Sequence, residues 1–210
     1  MRRLALYVDG FNFYHAVNDL RRPELKWVNL FRLAEELAKP SEKVVSVVYF
    51  SAYATWLPDA YARHREYTSA LQAAEVEVVM AHFKEKTVKC FQCQSKWKSR
   101  EEKETDVHLA LRFLADAEDN VFDRGMLLTA DSDLVPVVRM VKGRHPKKNI
   151  AVAAPPKRHS NGRNLKQVAD GYFQVGTKKL EAALFPELVY DSEGKVVARR
   201  PEEYAPPPET

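Results

Sequence analysis

Apolar and polar positions alternate along this chain in two rhythms. Leu4–Val8 is an unbroken apolar run with the length of a buried strand, and Phe11–Leu20 follows as a helix. After a loop around Pro23, Asn29 is placed to cap a helix running to about Ala38, and Pro40 ends it. Val44–Tyr53 is β-branched and aromatic, which predicts a second strand. A helix follows from Pro58 to Ala74, and "EVEVVMAHF" at 75–83 reads as a third strand. Residues 84–103 are polar and lysine-rich, contain Cys90 and Cys93, and read as an inserted loop or ribbon. Thr105 is placed to cap the next helix, with Val107, Ala110, Leu111, Leu114 and Ala117 as its buried stripe. Gly125–Ala130 is a fourth strand, residues 133–143 a helix, and Asn149–Ala154 a fifth strand.

This alternation predicts a mainly parallel sheet with helices on both faces. Right-handed crossovers then favour a doubly wound α/β fold; its strand order is taken as about 3-2-1-4-5, which would make the first and fourth strands neighbours. After Pro155-Pro156 the chain turns basic and turn-rich, with helices expected from about Leu165 and near Lys178–Leu184. "LVYDSEGKVVARR" reads as a hairpin turning at "SEG". "PEEYAPPPET" is expected to be disordered and to bury nothing. The expected division is a main domain over 1–185 and a C-terminal hairpin and tail over 186–210.

Composition narrows the class. The chain has 210 residues, 45% hydrophobic and 30% charged, which suits one sizeable core in a water-soluble protein. Its formal net charge of +4 is compatible with a polyanionic partner. Only five apolar residues separate Arg2-Arg3 from Asp9, too few for a secretory leader, and no run approaches the roughly 20 apolar residues of a membrane span. A cytoplasmic location without membrane attachment is therefore expected. Two cysteines do not make a disulfide framework.

The chemistry gathers at strand ends. Ligands of open α/β sheets bind at the carboxyl ends of the strands. Asp9 ends the first strand, and Asp131 and Asp133 follow the fourth. Asp106 lies in the first turn of its helix, about 40° from Ala110, at the edge of the buried face. Four converging carboxylates would repel one another unless a cation offsets them, and hard oxygen ligands select Mg²⁺ or Mn²⁺. Gly10 allows close backbone approach to a substrate, and Asn12 can orient a metal-bound water or a phosphate oxygen. Thr129 and Ser132 stand behind the acids as supporting residues. Each acid also has an ordinary structural role available, as a helix cap, an Asx-turn or a partner of a helix dipole. Their placement on one predicted edge is what argues for a site.

"YVDGFNFYHA", "EEKETDVHLALRFLADA", "LLTADSDLVPVV" and "PPKRHSNGRNLKQVADGYFQVG" together resemble the NYN domain proteins, a PIN-like nuclease family that includes the DUF88 and LabA-like groups. The resemblance runs from about residue 4 to 180. It implies a PIN-like fold and an Mg²⁺- or Mn²⁺-dependent nuclease, most often assigned to RNA, leaving 5′-phosphate and 3′-hydroxyl ends. The family's acidic positions carry over to Asp9, Asp106, Asp131 and Asp133, and its amide position to Asn12. Some relatives have a further acid about two turns into the helix that starts near Asp106; here that stretch has Arg112, which argues against a second tightly held metal.

Two other features stay open. "KCFQCQSKWK" has zinc-knuckle spacing, but tetrahedral zinc needs four ligands. His82 is a third possibility beside Cys90 and Cys93, two copies of the chain could share one zinc, or the thiols are simply free. The loop carrying Lys157, Arg158, His159, Asn161 and Arg163 follows the fifth strand and can hold a phosphate backbone beside the acids. The alternatives to a ribonuclease are an RNA-binding regulatory module with little chemistry and a phosphatase. The second acid a phosphatase of the haloacid-dehalogenase type needs is Phe11 here. A homodimer is a further expectation.

Overall fold

The computed structural model describes residues 1–206. Strand β1 (Arg2–Asp9) divides the core by its period of two: Leu4, Leu6 and Val8 enter one hydrophobic cluster, Ala5 and Tyr7 the other. Asp9 is odd-numbered, so it continues the face of Ala5 and Tyr7. Around β1 lie β2 (Glu42–Ala52), β3 (Glu77–Lys89), β4 (Lys96–Lys103), β5 (Arg124–Leu128), β6 (Asn149–Ala154) and β7 (Gly171–Gln174), in the order β4-β3-β2-β1-β5-β6-β7. Neighbours pair in parallel except β3 with β4. The expected 3-2-1-4-5 order is present as β3-β2-β1-β5-β6, widened at both edges. Strand β7 is a four-residue edge strand, too short for a periodic signal.

Helices α1 (Gly10–Asn18), α2 (Leu30–Leu37), α3 (Pro58–Ala73) and α7 (Thr177–Ala182) share the first cluster. Helices α4 (Thr105–Glu118), α5 (Val135–Arg144) and α6 (Arg163–Val168) share the second. Asn29 caps α2, its side-chain oxygen accepting from the Phe31 and Arg32 N–H groups at 2.9 and 3.1 Å.

Helix α4 corrects two expectations. Its buried apolar residues are Leu109, Phe113 and Ala117, while Val107 and Leu111 are 56% and 62% exposed. The helix is apolar on two faces, and the ring contacts of Phe113 with Tyr7 and Phe122 select the face that turns inward. Thr105 is the first helical residue rather than the cap. Glu104 precedes it in the left-handed region (φ 77°), and the Glu102 carboxylate accepts the Thr105 N–H at 3.0 Å.

Of the loop and the ribbon expected at residues 84–103, the ribbon is present: they complete β3 and form β4, paired from His82↔Lys103 to Lys89↔Lys96. The charged composition that suggested a loop lies across the ribbon as ion pairs. Glu85 meets Lys98 at 2.7 Å and Arg100 at 3.0 Å, and Arg100 stacks 4.6 Å over the Trp56 ring. Only 90–95 turn at the tip.

The C-terminal segment forms an antiparallel pair, β8 (Leu188–Tyr190) and β9 (Val196–Arg199), whose Val189 and Ala198 enter the first cluster. Tyr204, in a 3₁₀ turn, is buried in the same cluster. Residues 201–206 are thus ordered, contrary to expectation: one tyrosine is enough to anchor a polar, proline-rich stretch. The rest of that tail, 207–210, lies outside the described residues. No helix among the described residues is long and apolar enough to cross a membrane.

Tyr204→Ala is expected to lower unfolding stability by about 3 kcal/mol, the range for losing a large buried ring. A urea titration that showed an unchanged midpoint would mean that Tyr204 merely covers the surface.

Candidate metal centre

Three carboxylates meet at the carboxyl edge of the sheet. Asp9 ends β1, Asp131 follows β5, and Asp106 comes from the first turn of α4, which packs on the Tyr7 face that Asp9 shares. Each offers one oxygen, and these oxygens lie within 4.8 Å of one another. Asp9 is buried, and Asp106 and Asp131 are half-buried.

A hydrogen-bond lattice holds the two strand ends together. The Asp9 carboxylate accepts from the Asn12 N–H and the Thr129 hydroxyl, both at 2.9 Å. Thr129 Oγ1 in turn accepts from the Asp131 N–H at 3.0 Å. The Asn12 side-chain oxygen accepts from the Ala130 N–H at 3.1 Å, so that oxygen braces the β5 turn instead of facing a ligand. The Asp131 side chain accepts from the Asp133 N–H at 2.9 Å, capping the 3₁₀ turn Ser132–Leu134. Asp133 and Ser132 are exposed, and Asp133 stands outside the three-acid group. Gly10 has a packing role here. A Cβ there would come within 2.5 Å of the Phe50 carbonyl oxygen and 2.7 Å of the Tyr49 ring, so glycine serves close packing of α1 on β2.

The charges cost the fold something. Burial raises the Asp9 carboxyl to about 6, against the lowering effect of its bonds from Asn12 and Thr129; Asp106 and Asp131 raise it further. Asp106 is also raised to about 6, by burial first and then by Asp131, Glu102 and Asp133. The donor set fits a hard divalent cation: all-oxygen, convergent and destabilised when ionised alone. The Thr105 hydroxyl, next to Asp106, is buried with no partner among the described residues.

The NYN domain family model matches residues 3–178. This chain is an NYN domain protein. Its α/β architecture, a mostly parallel sheet between helices, is consistent with the PIN-like, nuclease-like fold of that family. It is 24% identical to a protein of Pseudomonas putida named 6-hydroxy-3-succinoylpyridine 3-monooxygenase HspA, with 99% of this chain and 77% of that protein covered. Among solved structures it resembles a protein of unknown function from Vibrio parahaemolyticus, with a TM-score of 0.54 and 22% identity. That match covers 83% of this chain and 93% of the other, and it speaks to the fold alone.

Other residues singled out in the sequence lie elsewhere in the NYN domain. Lys157 donates to the Asp19 carbonyl at 3.1 Å and Arg158 pairs with the Asp19 carboxylate, tying this loop to the far end of α1. His159 packs against the Tyr172 ring, 5.0 Å between centroids, Asn161 lies in the turn before α6, and Arg163 opens α6. Cys90 and Cys93 sit at the hairpin tip, where Ser95 helps lower the Cys93 thiol to about 7. His82 is at the hairpin's base beside Glu104, 3.3 Å away. Eight residues of extended chain put it roughly 25 Å from Cys90, so it is not a third ligand to the thiols. Asp116, further along α4, is buried and accepts from Tyr7 Oη at 2.7 Å and Arg112 Nε at 2.8 Å. That pairing makes it part of the scaffold.

In chelator at pH 8, Asp9→Asn is expected to stabilise the protein by about 3 kcal/mol, because it removes a buried charge. A raised carboxyl destabilises the native state only where it is ionised. The gain should therefore be full above pH 6 and shrink as pH falls toward 4, since both states are then protonated. Thermal melting across that range checks it; a gain independent of pH would assign the effect to packing. Mn²⁺ should raise the melting temperature of wild type at pH 8 far more than that of Asp9→Asn.

Proposed function

We propose that this NYN domain is a metal-dependent endoribonuclease acting on single-stranded RNA. The observation that carries the reading is the convergence of Asp9, Asp106 and Asp131 at the open edge of a nuclease-like fold. Mg²⁺ or Mn²⁺ bound there would supply Lewis acidity toward a phosphoryl oxygen and acidify a water. The protein's part is positional. Asp9 is held rigidly by Asn12 and Thr129, and Asp131 by its own turn, so two ligand directions are set before any substrate arrives. Asp106, carried on a different element, closes the third side. Arg139, exposed beside Ser132 and Asp133, is placed to meet a phosphate passing the outer rim. No side-chain nucleophile is required, and the expected products carry 5′-phosphate and 3′-hydroxyl ends.

A second reading comes from the Pseudomonas putida relative, whose name describes oxygenation of a pyridine ring. Under it, the same carboxylate centre would serve chemistry on a small aromatic heterocycle. An aromatic-lined cavity beside Asp9 is the observation that favours it.

End-labelled single-stranded RNA incubated with Mn²⁺, Mg²⁺ or EDTA separates the two. The nuclease reading expects cutting that EDTA abolishes and that Asp9→Asn and Asp131→Asn each reduce at least about 100-fold, the scale for losing a charged group that acts in the transition state. No cutting, with an oxygenated product from 6-hydroxy-3-succinoylpyridine, reduced nicotinamide and air, would replace it with the second reading. Binding without either reaction would leave a regulatory module.

A further inference from the structure

A cavity of about 230 Å³ opens at the same carboxyl edge, on the other face of the sheet from the three acids. Its walls are Phe13, Tyr49 and Tyr67, all buried, with Tyr204 from the C-terminal turn and His64 from α3. The rings stand edge to face: Tyr49 meets Tyr67 at 88° and His64 at 87°. At about 230 Å³ it is smaller than the roughly 300–1,000 Å³ of drug-sized sites. It has room for one flat ring system.

The polar groups inside are uncharged. Tyr49 Oη lies 3.3 Å from His64 Nε2, and Ser51 is beside them on β2. Burial lowers His64 to about 4, so its imidazole is neutral at physiological pH and offers one donor and one acceptor. A cation stands at the rim instead: Lys26 Nζ lies 4.9 Å over the half-exposed Tyr14 ring, while the charge of Arg63, also at the rim, is met by Glu203 at 2.7 Å. An apolar slot with neutral hydrogen-bonding groups inside and the Lys26 ammonium at the mouth matches an uncharged heterocycle attached to a phosphate. The cavity also adjoins the metal centre: Gly10 and Phe11 line it and follow Asp9 directly, and the Asp9 charge is felt at Tyr49.

The geometry points to a nucleobase subsite: the cavity takes one unstacked base of a single strand whose backbone crosses the Gly10–Phe11 edge onto the carboxylates. The choice of occupant rests on the nuclease reading above; the site itself does not. Base-on-aromatic contact of this kind is the usual means of holding single strands.

The test measures binding, with Ca²⁺ in place of Mn²⁺ so that binding is read apart from cutting. A fluorescent 12-residue RNA is compared with versions carrying one abasic position each. Wild type should lose about tenfold in affinity at one position and less than twofold elsewhere. Ala60→Trp, which fills the cavity, should bind the intact RNA about tenfold more weakly and become indifferent to the abasic position. Equal affinity for every abasic version would overturn the proposal without recourse to a variant. So would saturation of the cavity by free nucleosides or by 6-hydroxypyridine with no abasic effect, which would reassign it to a small free ligand. RNA bound with one sensitive base yet never cut with Mn²⁺ would support the subsite and sink the nuclease reading; cutting with no sensitive position would do the reverse.

Discussion

A carboxylate buried at the end of the central strand sets the terms for everything around it. Asp9 cannot be stabilised by solvent, so its oxygens are bonded by Asn12 N–H and Thr129 hydroxyl. Those two groups belong to the first turn of α1 and to the segment after β5, which follow neighbouring strands at the reversal of the sheet order. One polar network therefore joins the two turns that carry Asp9 and Asp131. The incompletely relieved charge is what gives a divalent cation its opportunity.

Much of this was legible in the sequence because it depends on local rules. An apolar run ending in Asp-Gly, repeated by one ending in Thr-Ala-Asp, is a strand-end signature, and parallel topology brings such ends together. Alternation and handedness pointed to a doubly wound sheet, and the order assumed for it is the one present. What failed were choices made by tertiary contact. The register of α4 turned on Phe113 meeting Tyr7 and Phe122, which no apolar count on a doubly apolar helix can decide. The ribbon after β3 is held by Glu85 with Lys98 and Arg100, a cross-strand pattern that looks like loop composition when read along the chain. Tyr204 stood in a stretch whose average polarity hid the one residue that matters. The aromatic cavity was invisible for a similar reason: Tyr49, His64 and Tyr204 come from three distant segments. The nearest local signal was the His64–Tyr67 pair, three residues apart on a helix and so on one face.

The family match and the geometry bear on different questions. Membership in the NYN family covers nearly the whole chain and bears on its fold. The relative named as a pyridine monooxygenase, at 24% identity, shows that a chain matched along this one's full length carries a name far from nucleic-acid chemistry. A centre built only from carboxylates does not itself choose between such reactions; the surface that delivers a molecule to it does.

Strand β1 separates the acids from the aromatic cavity by the thickness of one pleat, since successive side chains project to opposite sides. A strand reaching from one to the other would have to turn over the Gly10–Phe11 edge that borders the cavity. Duplex DNA resists bending over lengths of roughly 50 nm, whereas an unpaired strand turns freely at each sugar-phosphate link. Under the nuclease reading, the alternation of one short strand would favour an unpaired strand over a stiff duplex.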